Sequence, residues 1–312
     1  MTPTIDEAEF VLCLTHDVDR PYKRLHQALY YGVAGKLDLG YHVRSALDRS
    51  RPYAHFETIR QLEADLGVRS AFYVLNQPSP IALSRPSTWS DPDSWIEHLG
   101  RYDPTRSEIV EAVRTLYDGD WEIGLHGSLA TADDRERLTH EKAVLEDVLD
   151  APIVGGRQHH LECTVPTTWT HQRAVGLSYD SSLGSSSSVG FDFGYRPLRP
   201  FDDAFVVFPL TVMDVALPDP GDHFDEAWNQ CERLLLEAHD NGAVMTVCWH
   251  PMYYNRSEFP GYRRLYRRLI ERALELDGWV GPPRDYYHHL QAPEHRPEQT
   301  TSTIPLRAIE QH

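Results

Sequence analysis

Short apolar runs alternate with amphipathic segments along most of the chain, and this alternation restricts the fold more than any other feature. The apolar runs read as strands at Phe10 to Leu14, Ser70 to Leu75, Trp121 to Leu125, Ile153 to Arg157, Phe205 to Val212 and Ala243 to Trp249. A further strand, fifth in order, is entered through Gly176-Leu177-Ser178-Tyr179, and Trp279-Val280 suggests a short last one. Between them lie helical patterns at Ala54 to Leu66, Ile109 to Leu116, Asp134 to Leu149, Thr167 to Val175, Phe224 to His239 and Tyr262 to Leu276. In the first of these, Phe56, Ile59, Leu62 and Leu66 recur at helical spacing. Strand, helix, strand in repetition is the pattern of βα units on a parallel sheet. The expectation is an α/β barrel, one domain over residues 1–292, followed by a polar Pro/Thr-rich tail over 293–312.

In such barrels chemistry gathers where the strands end. The first strand runs into Thr15-His16-Asp17-Val18-Asp19 and the third into His126-Gly127-Ser128. The fourth runs into Arg157-Gln158-His159-His160, the fifth into Asp180-Ser181-Ser182, and the seventh into His250-Pro251. Five strands thus deliver His, Asp or Arg to one edge. Asp17 and Asp19 alternate along an extended chain and face the same side. Two close carboxylates ionise together cheaply only with a cation between them. One on a metal and one on the attacking water is the natural division; capping of the turn before Pro21 is the alternative. His126 offers the usual zinc-ligating imidazole, or else a hydrogen bond under the rim. Arg157 could pair with an Asp and keep it ionised, or serve a structural ion pair. His250, at the end of an apolar strand, is placed for a general acid. His16 and His160 alternate away from the site, and Arg263, Arg264, Arg267 and Arg268 read as a solvated helix face.

Charge and cysteine usage narrow the partners. The formal net charge is −17, from 30 basic and 47 acidic residues. A nucleic-acid binder needs a basic face, so nucleic acid is not expected as a partner. No apolar run reaches the ~18 residues of a membrane helix. The N-terminus is acidic without an apolar signal core, and no two cysteines form a C-x-x-C pair, so a reducing, cytoplasmic setting is expected. Only three of the basic residues are lysines. An acidic, lysine-poor surface suits a high-salt cytoplasm, where salt screens carboxylate repulsion.

The residues in this order resemble the polysaccharide deacetylases, carbohydrate esterase family 4. Thr15-His16-Asp17-Val18-Asp19 is similar to the family's T-F-D-D-G, and His126-Gly127-Ser128-Leu129-Ala130 to its H-[ST]-x-x-H. Arg157 in Gly155-Gly156-Arg157 corresponds to the third motif, and Val247-Cys248-Trp249-His250 to the last. Gly176 to Ser182 looks like G-F-x-Y-D-S-S, and Ser70-Ala71-Phe72-Tyr73-Val74 like the second-strand A-T-F-F-V pattern. The resemblance implies a distorted (β/α)7 barrel that removes acyl groups from amino sugars with one divalent metal, most often Zn2+. It implies that Asp17 is the base, Asp19 and His126 metal ligands, Arg157 the partner of Asp17, and His250 the acid, with Asp180 orienting His250. The family's second metal histidine would fall at position 130, which is Ala130. His159, sharing a strand face with Arg157, is the candidate replacement. A degraded metal site on a sugar-binding barrel, or hydrolysis of another amide such as a ureide, are the alternatives.

Overall fold

The computed structural model describes residues 3–22, 53–77 and 102–292. The expected tail over 293–312 lies outside the described residues. Among the described residues nine strands form one sheet: β1 (Val11–Val18), β2 (Ala71–Leu75), β3 (Glu122–Gly127), β4 (Gly155–Gln158), β5 (Tyr179–Asp180), β6 (Val206–Val207), β7 (Leu210–Met213), β8 (Val244–Cys248) and β9 (Trp279–Gly281). The helices are α1 (Phe56–Asp65), α2 (Ser107–Asp118), α3 (Arg135–Leu149), α4 (Thr167–Ala174), α5 (Phe224–Asn241), α6 (Tyr262–Glu275) and α7 (Pro283–Leu290). Every ladder between strands is parallel, in the order β6-β5-β4-β3-β2-β1-β8-β7.

The expected sixth strand, Phe205 to Val212, is broken into β6 and β7. Pro209 has no N–H to donate to a ladder, and the break falls there. Val206–Val207 pairs with β5, and Leu210–Met213 pairs with β8. One stretch of chain therefore joins the two ends of the strand order, with Phe208 and Pro209 at the seam. Counting β6 and β7 as one broken strand, the wall is a distorted (β/α)7 barrel. β9 is extra: it pairs with Val11–Cys13 of β1, below the part of β1 that pairs with β2.

Alternation along the strands divides inside from outside. On β1, Leu12 and Leu14 face the helix layer, in one apolar cluster with Ile59 of α1 and Leu269 of α6. Val11 and Cys13 belong to an inner cluster with Tyr73, Tyr179, Val206 and Phe208. Tyr286, Tyr287 and Leu290 of α7 join that inner cluster and close the lower end. Tyr286 and Tyr287 are therefore packing, while His288 is exposed. Going up β1, the inner positions turn polar at Thr15 and Asp17. The interior is thus apolar below and ionic at the mouth.

Gly156 permits a close approach at the centre of the wall. A Cβ there would overlap the Leu125 carbonyl, and only glycine lets β4 lie this near β3. That approach sets the register His126 opposite Arg157.

Outside, α5 and α6 pack through a ladder of arginines. Arg264 lies over Phe224 and Arg268 over Trp228, each 4.0 Å from the ring centroid, and Arg272 pairs with Glu232 at 3.3 Å. Arg267 pairs within α6 with Glu271. The arginine-rich helix face is thus partly spent on packing.

Candidate active site

The upper strand ends bring six of the seven candidate residues together: Asp17, Asp19, His126, Arg157, His159 and His250. Asp17, His126, Arg157 and His159 are buried, and Asp19 and His250 are partly exposed.

Three donor atoms meet at the centre. His126 Nε2 lies 3.0 Å from Asp19 Oδ1 and 3.1 Å from His159 Nδ1, and His159 Nδ1 lies 3.4 Å from Asp19 Oδ1. A tetrahedral ion with bonds of about 2.0–2.1 Å has edges of about 3.3 Å between ligand atoms. The hydrogen bonding fits a cation as well. His126 Nδ1 is 2.9 Å from the Arg157 carbonyl oxygen, which can only accept, so Nδ1 carries the proton. In the neutral ring Nε2 then presents a lone pair to a carboxylate oxygen and another imidazole. Asp19 Oδ1 is buried with no hydrogen-bond donor aligned on it. Two imidazole nitrogens and a carboxylate oxygen converging on one point are the chemistry of a metal site, and a carbonyl behind the ligating imidazole is its usual outer support. Burial pushes the Asp19 carboxyl up; with no cation between them, the charge and hydrogen bonds of His159 and His126 outweigh it and hold the acid well below its ordinary range.

Asp17 stands beside this triad. Arg157 Nη1 donates to Asp17 Oδ1 at 2.8 Å and to Thr15 Oγ1 at 2.9 Å. Its Nε and Nη2 donate to the Ser181 carbonyl and hydroxyl at 2.7 and 3.0 Å, which fixes the guanidinium plane. Burial raises the Asp17 pKa, and Arg157, His126 and His250 together bring it below the usual carboxylate value.

His250 faces the triad from the other side, its Nε2 3.5 Å from Asp19 Oδ2. Burial lowers the His250 pKa, but Asp214, then Asp19 and Asp17, push it up to about 10. The residue that orients it is Asp214. Asp214 Oδ1 accepts from His250 Nδ1 at 2.8 Å, and Oδ2 accepts from the His250 backbone N–H.

This corrects the expectation for Asp180. Asp180 accepts from Trp169 Nε1 at 3.0 Å, Gln172 Nε2 at 2.7 Å and the Ser182 N–H and hydroxyl. It ties β5 to α4, and its acceptor capacity is used there. Asp214 follows β7 directly, so the strand-end rule applied to the sixth strand would have found it. In the sequence it only interrupts an apolar stretch. His16, on the outer face, has Nε2 2.9 Å from Glu63 and Nδ1 2.6 Å from the Trp249 carbonyl oxygen, as its alternation required. His160 is exposed.

Solved structures share this architecture. A candidate polysaccharide deacetylase from Mycobacterium smegmatis superposes with a TM-score of 0.61 at 20% identity, covering 98% of each chain. This is the polysaccharide-deacetylase fold. A GH57-type branching enzyme from the hyperthermophilic archaeon Pyrococcus horikoshii also resembles it, with a TM-score of 0.52, 10% identity, and coverage of 95% of this chain and 72% of that one. No family model and no curated protein matches the sequence. The polysaccharide-deacetylase fold thus extends to a protein named for other chemistry, and function must be argued from the site.

Proposed function

We propose that the chain is a divergent polysaccharide deacetylase, a metal-dependent hydrolase of non-peptide C–N bonds that removes an acyl group from an amino sugar in surface-glycan metabolism. The observation that carries this reading is the order of groups across the mouth. A buried carboxylate held by Arg157, three converging donor atoms, and a histidine held by Asp214 lie within contact of one another.

Asp19, His126 and His159 would hold one divalent cation, and two nitrogens with one oxygen suit Zn2+. Bound there, the cation supplies Lewis acidity that polarises the amide carbonyl and acidifies a water. Asp17 is the base. Arg157 keeps it ionised, so it can accept the proton of the water that attacks the amide carbon. His250 is the acid. With Nδ1 tied to Asp214, its Nε2 proton is the one delivered to the amine nitrogen as the C–N bond breaks. The products are a free amine and a carboxylic acid. The Ala130 departure is then made good by the end of β4.

The surroundings support a salt-rich cytoplasm as the setting. Acidic residues exceed basic ones by 47 to 30 with three lysines, and all four cysteines are free. No helix among the described residues is long and apolar enough to cross a membrane.

The test is acyl-acid release from a panel of N-acylated amino sugars, before and after chelation. Release that stops on chelation and returns with Zn2+ is expected. Protein that binds metal yet releases acid from no member of the panel would leave a carbohydrate-binding barrel. Release from ureides alone would replace the substrate class.

A further inference from the structure

We infer that Leu161 is a positioning residue that sets the spacing between the metal triad and the acid pair. The inference rests on the reading of His159 as a ligand and His250 as the acid. β4 makes its last ladder contact at Gln158, opposite Gly127, so His159 lies one residue beyond the sheet. The sheet does not fix this donor, so its placement depends in part on the turn after it.

That turn is held in an uncommon form. His160 and Leu161 both take left-handed backbone angles, with φ of 55° and 58°. Residues with a Cβ seldom adopt this region, and leucine has no polar group to ease it. Two in succession persist only where surrounding contacts over-determine them. Those contacts are present. The Glu162 N–H donates to the His159 carbonyl at 3.2 Å and closes the turn. The His160 ring meets the His159 ring edge-on, centroids 4.3 Å apart. Leu161 leaves the β4 side and packs against the apolar cluster formed by Leu210, Met213 and Cys248.

The partners of Leu161 give it its role. Met213 ends β7 and precedes Asp214, and Cys248 ends β8 two residues before His250. Leu161 itself lies two residues after His159. One apolar side chain therefore links the metal-donor turn to the cluster that β7 and β8, the strands leading to the acid pair, build between them. His159 Nδ1 and His250 Nε2 approach the two oxygens of a single carboxylate, Asp19, at 3.4 and 3.5 Å. A displacement of about 1 Å between such groups is enough to cost on the order of 10²-fold in rate.

The experiment compares Zn2+ affinity by chelator competition, kcat and KM on an N-acylated amino sugar, and Tm. Leu161→Ala is expected to weaken Zn2+ binding about tenfold or more and to lower kcat about 10- to 100-fold with little change in KM. Leu161→Met, which keeps volume, should restore both, and Leu161→Val should fall between if the alanine variant does not fold. Leu198→Ala, in the separate cluster of Trp169, Leu183 and Phe205, should lower Tm and move neither Zn2+ affinity nor kcat. If Leu161→Ala lowers Tm but keeps wild-type Zn2+ affinity and kcat, Leu161 is only packing and the inference is overturned. A wild-type protein that binds no Zn2+ overturns the functional reading together with the inference. Bound Zn2+ with an unaltered Leu161→Ala affinity overturns the inference alone.

Discussion

Asp214 holds His250 by two bonds at once, accepting the backbone N–H on Oδ2 and the ring Nδ1 on Oδ1 at 2.8 Å. The imidazole can neither rotate nor change tautomer without losing a charge-assisted bond.

From this follows the first expected outcome. Asp214→Asn should lower turnover on the order of 10²-fold, the scale of a general acid's contribution. Asp214 is the main cause of the raised His250 pKa of about 10. Without that charge the imidazole gives up its proton at lower pH, so the alkaline limb of the kcat/KM profile should move to lower pH. Asp180→Asn should lower Tm and leave that limb in place. A limb that moves with Asp180 and not with Asp214 would contradict the assignment.

The second outcome concerns metal content. Elemental analysis should find close to one divalent ion per chain in the wild type. Asp19→Asn, His126→Ala and His159→Ala should each lose it, while His160→Ala should keep it. Asp17→Asn should keep the ion and lose turnover on the order of 10²-fold. Equal loss of metal from the Asp17 and Asp19 variants would make both of them ligands.

A third outcome lies at the opposite end of the barrel. Glu122 is buried and accepts from the Tyr179 hydroxyl at 2.5 Å and from the Arg284 N–H at 2.9 Å. Burial, opposed by the Tyr179 bond and by Arg284, raises its pKa from 4.5 to about 7. A folded pKa above the unfolded one means that the folded state holds the proton more tightly. The contribution is complete below pH 4.5 and is lost as pH rises through 7. A rise from 4.5 to about 7 corresponds to at most about 3.4 kcal/mol. Urea midpoints measured from pH 5 to pH 8 should therefore fall more steeply for the wild type than for Glu122→Gln. Parallel curves would remove Glu122 as the cause.

The fourth outcome concerns salt. With a net charge of −17, self-repulsion is long-ranged in dilute buffer. At 1 M salt the Debye length is about 3 Å, which confines it to near neighbours. Tm should rise on adding molar KCl. A Tm that is flat or falls would remove the inference of a salt-adapted protein.

Much of the barrel was legible because its strands carry the alternation of inner and outer layers in their own letters. Thr15, Asp17 and Asp19 on one face and His16 on the other follow from a period of two, and the structure places them so. His159 was reached by the same count, although it lies in a turn rather than on β4. What could not be read depends on distant pairing. Glu63 meets His16 across 47 positions, and nothing local marks it as a partner. Asp214 lies just past the stretch Phe205 to Val212, but its pairing with His250 spans 36 positions and nothing local marks it. The role of Asp180 rests on the family resemblance alone, and Trp169 and Gln172 of α4 hold its carboxylate instead.

The break at Pro209 also divides the wall mechanically. β1 to β4 form a panel with three to five registered pairs at each junction, and it carries Asp17, Asp19, His126 and Arg157. The barrel is closed on its far side by β6, which meets β5 through two registered pairs. Parting that closure breaks few hydrogen bonds and leaves β1, β8 and β7 joined. The strands that lead to His250 and Asp214, β8 and β7, thus lie on the flank beside the seam, while Asp19 and His126 stand at the ends of β1 and β3 in the panel.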